Sequence, residues 1–252
     1  MTHAASAGGP IVGVLGGMGP GATADFYAKL VRATPAATDQ DHLRTLIWSD
    51  PSISDRTEAL LFDGASPLPQ LVSGLRLLED AGAALIAMPC STAHAYLPEL
   101  RRTARVPIVS MVEATVDRLG PDTRSGATVG LLATSGTVCT GLYQQAFGAR
   151  GVRCLVPSAP LQEDVMQAVR LVKAGRLDIA GRALEGPAAE LVDAGAQTIV
   201  AACTELPLVL GAAASGVGVF DATAALVEDV LALAAALRYE FDKESTCGNA
   251  FV

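Results

Sequence analysis

Basic residues are few and scattered. Eighteen Lys and Arg stand against 26 Asp and Glu, a formal net charge of −8. No run of them could track a phosphate backbone, so no nucleic-acid partner is expected. Long apolar runs are missing as well. Each is broken by charge, Gly or Pro within the ~20 residues that a membrane span needs. Residues 1–10 lack the basic segment and apolar core of a secretory signal. Cysteine is sparse and odd in number, five in 252 residues with no C-x-x-C pair. That argues against a disulfide framework and makes a reducing cytoplasm the default location. His3 and His42 show no ligand spacing, and no zinc cluster is expected. There is no G-K-[ST] either, which excludes a P-loop.

Aromatic residues make up only 4% of the chain, while half of it is hydrophobic, mostly Ala, Val and Leu. Such a composition suits an α/β protein of close-packed helices and buried parallel strands. The length allows one large domain or two compact lobes.

Ile11-Val-Gly-Val-Leu15 is a short β-branched run ending in Gly16-Gly17-Met18-Gly19-Pro20-Gly21. A helical pattern over residues 22–32 follows, giving the strand, glycine turn and helix that open a βαβ unit. Further strands are expected over 43–49, 83–88 and 106–109, with helices over 67–81 and 97–103. The pattern then restarts: a strand over 128–133, a helix through Tyr143 and Phe147, helices over 161–172 and 180–194, and a strand over 198–202. An Ala/Leu-rich helix over 221–237 and a frayed polar tail from Glu240 close the chain. Alternating strands and helices imply parallel sheets with right-handed crossovers.

The second half repeats the first. Asp80-Ala-Gly-Ala-Ala-Leu-Ile-Ala-Met-Pro-Cys90 aligns without a gap on Asp193-Ala-Gly-Ala-Gln-Thr-Ile-Val-Ala-Ala-Cys203, 113 residues later. Upstream, Val12-Gly13 resembles Val129-Gly130 at an offset of 117, and a loop absorbs the difference. Each copy ends a buried strand on a cysteine. Ligands of open α/β sheets bind beyond the carboxyl ends of strands. Two lobes face to face would therefore set two thiols on opposite walls of one cleft. Such a pair can move a proton from one face of a carbon to the other, one thiolate as base and the opposite thiol as acid. A helix beginning at Ser91-Thr92 or Thr204 would aim backbone N–H groups at a thiolate or a carboxylate. For Cys139, Cys154 and Cys247 a core or surface role is the simpler reading. Gly17-x-Gly19-x-x-Ala22 fits the spelling of a dinucleotide fingerprint, but Asp39 and Asp41 precede the second strand and Asp50 lies far on for a ribose ligand. The turn is read instead as a close backbone approach to a small anion. His94, four residues after Cys90, is read as bonding a strand end or tuning the thiol.

At these residues the chain resembles the aspartate/glutamate racemase superfamily. The matching segments are Gly16-Gly17-Met18-Gly19-Pro20 with Ala22-Thr23 and Tyr27, Asp55-Arg56-Thr57, and Met88-Pro89-Cys90-Ser91-Thr92-Ala93-His94. They continue with Ala133-Thr134-Ser135-Gly136-Thr137, Val172-Lys173-Ala174-Gly175 and Ala202-Cys203-Thr204-Glu205. The resemblance implies two pseudo-symmetric Rossmann/flavodoxin-like α/β lobes with the active site in the cleft between them. It implies lobes of residues 1–113 with about 219–252, the last helix returning, and 114–218. It implies catalysis without pyridoxal phosphate or another cofactor, no metal, a small amino-acid or dicarboxylate substrate, and a homodimer. Carried over by position, Cys90 and Cys203 are the acid/base pair, Arg56 clamps a substrate carboxylate and Lys173 supplies a second cation. Met18, Ser91, Thr92, Thr134, Thr137, Thr204 and Glu205 line the pocket. One departure stands out: Ser91 follows the first cysteine where members commonly carry Asn.

The expected reaction is racemisation of aspartate or glutamate. Rival readings keep the thiols for an unsaturated-diacid cis–trans isomerase or a hydantoin racemase, or make the chain a non-catalytic dicarboxylate-binding protein.

Overall fold

A computed structural model describes residues 9–119, 126–210 and 216–248. Among these, eight strands form two four-stranded parallel sheets. The first contains β1 (Ile11–Gly16), β2 (Arg44–Ser49), β3 (Leu85–Ala87) and β4 (Ile108–Val109), in the order β2-β1-β3-β4. The second contains β5 (Thr128–Leu132), β6 (Arg153–Leu155), β7 (Thr198–Ala201) and β8 (Gly218–Asp221), in the order β6-β5-β7-β8. The two orders are the same, and so is the register at their centres. Val12 pairs with Leu85 in the first sheet, and Val129 with Thr198 in the second. The aligned segments of the repeat thus occupy equivalent places. Gly13 and Gly130 repeat as well: a Cβ would lie 2.7 Å from Ile86 Cδ1 in one and 2.8 Å from Ile199 Cδ1 in the other.

Helices cover both faces of each sheet. On the first, α3 (Leu68–Asp80) and α4 (Leu97–Thr103) bury Leu71, Leu75, Leu78 and Leu100 against Leu15, Ile86 and Met88. The opposite face meets α1 (Pro20–Ala33) through Phe26 and Leu30. In the second half, α8 (Ala159–Lys173) and α10 (Glu185–Asp193) pack on one face. The other face meets α7 (Leu142–Gly148) through Tyr143 and Phe147. Connecting helices are exchanged between the halves. Helix α5 (Met111–Leu119) leaves β4 and places Val112, Val116 and Leu119 in the core of the second sheet. Helix α11 (Ala222–Gly248) leaves β8 and returns Leu226, Val227 and Val230 to the core of the first.

Several expected elements differ in detail. The helix expected through Tyr143 and Phe147 is two, α6 (Ser135–Thr140) and α7, because Gly141 takes a left-handed φ of 69° between them. The helix expected over 180–194 is likewise two, α9 (Leu177–Ala183) and α10, meeting at Leu184. The last helix runs past Glu240 to Gly248; Tyr239 to Glu244 holds good helix formers and no Gly or Pro. Helix α2 (Arg56–Leu61), α5, β6 and β8 stand outside the expected elements. No helix among the described residues is long and apolar enough to cross a membrane.

Candidate active site

Each candidate cysteine follows the carboxyl end of a central strand. Cys90 lies three residues beyond β3 and Cys203 two beyond β7. The two line one cavity of about 380 Å³, together with Met18, Arg56, Thr92 and Lys173. Ser91, Thr134, Thr204 and Glu205 also reach its wall. Both cysteines are free and buried. Thr137 does not reach the wall. It is fully buried one layer behind, because the first turn of α6 points its hydroxyl back at Thr92 Oγ1 (3.0 Å) and Thr134 Oγ1 (3.0 Å). Thr92 and Thr134 close the triangle at 2.8 Å. Three hydroxyls from the two halves of the chain thus satisfy one another beside the cavity.

No α-helix starts directly at either cysteine. Thr92–Tyr96 and Leu206–Leu208 are short 3₁₀ turns. The anion-directed helix end expected there is replaced by side-chain donors. Arg56, the first residue of α2, is the main one. Asp55 caps that helix by accepting from the Thr57 and Glu58 amides. The guanidinium is buried, and backbone carbonyls hold it in place. Nη1 donates to Ile53 O (3.2 Å) and Ser54 O (3.1 Å), and Nη2 donates to Met18 O (3.1 Å). Of its five N–H donors two remain, and buried Nε has no partner. An oriented cation with two spare donors is a receptor for a carboxylate.

Around Cys203 the setting is acidic. Its Sγ donates to Glu205 Oε2 at 3.1 Å, and Thr204 Oγ1 donates to the same oxygen at 3.1 Å. Burial, then the Glu205 charge and hydrogen bond, push the Cys203 thiol well above its ordinary value. Lys173 opposes this as a nearby cation. Cys154, half-buried on β6, is pushed up to about 12 by burial alone and lies outside the cavity. Cys139 is exposed, and the side chain of Cys247 lies outside the described residues.

Ser91 turns its hydroxyl inward. It donates to Met111 Sδ (3.2 Å) and shares a bond of 3.0 Å with Tyr143 Oη. Tyr143 is fully buried, and burial pushes its phenol up to about 12. The shorter side chain at position 91 is therefore anchored to the opposite half. His94 is structural: Nδ1–H donates to the Cys90 carbonyl (2.9 Å) and Nε2 accepts from the Met111 amide (2.9 Å). Burial lowers its pKa to about 4, so the ring is neutral. Gly17, in the dinucleotide-like turn, takes a φ of 93° and a Cβ there would lie 2.3 Å from the Asp50 amide nitrogen. That glycine serves contact with the end of β2 rather than a phosphate.

Sequence reasoning missed part of the wall. Phe62 at the end of α2 lines the cavity, as do Glu163, Met166 and Arg170, which share a face of α8 with the expected Lys173. The spacing of 3, 4 and 3 along α8 is helical and was available as a signal. Among the described residues no group of three His, Cys, Asp or Glu could hold a metal ion.

The family model for Asp/Glu/Hydantoin racemase matches residues 15–230. The aspartate racemase of Picrophilus torridus superposes with a TM-score of 0.82 at 31% identity, covering 93% of this chain and 98% of that one. The broad specificity amino-acid racemase of Bacillus subtilis is 27% identical over 227 residues, 88% of this chain and 96% of its own. The glutamate racemase of Francisella tularensis, solved with D-glutamate, shares the fold. Its TM-score is 0.67 at 15% identity, with 90% of this chain and 81% of that one covered. The chain belongs to the Asp/Glu/hydantoin racemase family and is an isomerase of that kind.

Proposed function

We propose that this racemase inverts a small acidic amino acid, aspartate or glutamate, without a cofactor and by a two-thiol mechanism. One observation carries the reading: Cys90 and Cys203, from equivalent strand ends, line the same cavity as a pre-oriented Arg56 and Lys173. Arg56 takes the α-carboxylate through its two spare donors, and Lys173 meets the side-chain carboxylate. One thiolate removes the Cα proton, and the opposite thiol returns a proton to the other face. Met18, Ser91, Thr92, Thr134, Thr204 and Glu205 form the remaining wall, with Thr137 supporting it from behind. The hydroxyls of Thr92 and Thr134 leave their triangle with Thr137 to donate to the carbanionic transition state. The names of the relatives, an aspartate racemase and a broad specificity amino-acid racemase, support the substrate class. The lobes we assign are residues 1–113 with 219–252, and 114–218. We assign the enzyme to the cytoplasm as a homodimer.

Single replacements Cys90→Ser and Cys203→Ser test the mechanism by circular dichroism assay of racemisation. Each is expected to lower kcat by about 10²-fold or more, the scale of a positioned acid or base. Near-parental turnover by both variants would overturn the two-thiol mechanism.

A further inference from the structure

The two thiols are not equivalent, and Glu205 makes the difference. Glu205 is 4% exposed. Its Oε2 accepts from Cys203 Sγ, while Oε1 is buried without a partner. That second oxygen faces Gly19: a Cβ on Gly19 would lie 3.3 Å from it. Gly19 lines a second, more open cavity of about 680 Å³ that shares Met18, Asp55, Arg56, Lys173 and Glu205 with the first. Glu205 lines both cavities, whereas Cys203 lines only the inner one. The carboxyl group therefore stands in the partition, one oxygen on the thiol and the other toward the outer space. Among the described residues no carboxylate bonds Cys90 Sγ.

We propose that Glu205 is a positioning residue that acts as the proton port of Cys203. With the carboxylate ionised, its charge keeps the Cys203 proton in place, so the resting enzyme holds Cys203 as the acid. For Cys203 to serve as base, its S–H bond breaks and the proton forms a bond to Glu205 Oε2. The thiolate then takes the Cα proton, and Cys90 gives its own proton to the opposite face. Cys90 is left as thiolate and Glu205 protonated. A half-turn of the carboxyl group about Cγ–Cδ carries the proton from the thiol side to the outer side, where it leaves to water, and Cys90 regains one from water, which restores the starting state with no net gain or loss. Around the pair, Lys173 on α8 and Arg56 on α2 supply positive charge, and Tyr143 lies beneath. Asp55, Glu58, Glu163 and Arg170 complete the charged rim.

The inference rests on the two-thiol reading, but its first test needs no substrate. Alkylation of Cys203 by iodoacetamide is followed against pH by peptide mass in the parent, Glu205→Gln and Glu205→Asp. Loss of the charge is expected to move the Cys203 profile down by about one pH unit or more, with Cys90 unmoved. Glu205→Asp keeps the charge on a shorter arm and is expected to fall between. The second test is solvent deuterium in recovered substrate. An equilibrium constant of one forces kcat/KM to fall equally for both enantiomers of Glu205→Gln, so rates alone cannot show the asymmetry. Deuterium in unreacted substrate is expected to fall at least fivefold for the enantiomer that Cys203 deprotonates, and to stay for the other. An unchanged Cys203 alkylation profile, or equal loss for both enantiomers, would overturn the proton port. Absence of turnover in the parent, with the alkylation shift present, would overturn the racemase reading and leave the port standing.

Discussion

His94 shows how a residue beside a reactive group can be wholly structural. Its two nitrogens tie the Cys90 carbonyl to the first amide of α5, and only a neutral ring can do both. Protonation at Nε2 would remove the acceptor that holds Met111. The fold lowers its pKa from 6.5 to about 4, so an unfolded chain takes up a proton that the folded one refuses. The stability held above pH 6.5 is therefore lost as the pH falls toward 4, by about 3 kcal/mol in total. Denaturant unfolding at pH 7 and pH 4.5 should show the parent losing clearly more than His94→Gln. Equal losses would remove His94 from the acid response. The sequence offered both roles for His94, and its partner Met111 could not be foreseen because α5 itself had not been assigned. The convergence of Cys90 and Cys203 on one cavity was legible because a gapless repeat marked both strand ends. Ser91 was legible as a departure, though its bond to Tyr143 joins positions 52 residues apart and leaves no local signature.

At the scale of elements, the first sheet, the central strands of the second and the long helices were readable, and the edges of the second sheet were not. Strands β1, β3, β5 and β7 are buried and apolar, whereas β6 and β8 are short, partly exposed edge strands with little periodicity. Helix α2 is only six residues long, and α5 divides its apolar residues between two cores, which blurs a single stripe. These unread pieces shape the cleft. Helices α2 and α6 meet at Gly136, where a Cβ would lie 2.9 Å from Thr57 Oγ1 and 3.1 Å from Thr57 Cα. Backbone stands in the way, so a side chain forces the helices apart. Gly136→Val is expected to cost about 1–3 kcal/mol and to raise KM by loosening Arg56 at the start of α2. Gly148→Ala, where nothing lies within 4 Å, serves as the neutral control. Thermal melts and steady-state kinetics read both, and equal behaviour of the two variants would contradict the contact.

At the scale of the molecule, the exchange of α5 and α11 ties the halves together. Leu226 and Val230 complete the core of the first sheet from the far end of the sequence, and α5 contacts α11 directly. Neither half holds a finished core from contiguous residues alone. Leu226→Ala is expected to cost about 2–5 kcal/mol, as truncation of a fully buried leucine does. The loss should appear in the same transition whether followed by Trp48, on β2, or by far-ultraviolet circular dichroism. Two separated transitions would show that the halves fold apart. The pseudo-symmetry was visible in the sequence. The physical exchange was not, since the resemblance alone implied the return of the last helix and nothing marked α5 as its counterpart.

The central claim is that this symmetry exists to hold two thiols across one substrate carbon. Proton NMR in D₂O with single-enantiomer amino acids, aspartate and glutamate first, tests it most directly, with chiral chromatography of the products. The account predicts loss of the Cα–H signal and growth of the opposite enantiomer without any added cofactor. No exchange across the panel, with Cys90 and Cys203 confirmed reduced, would contradict it.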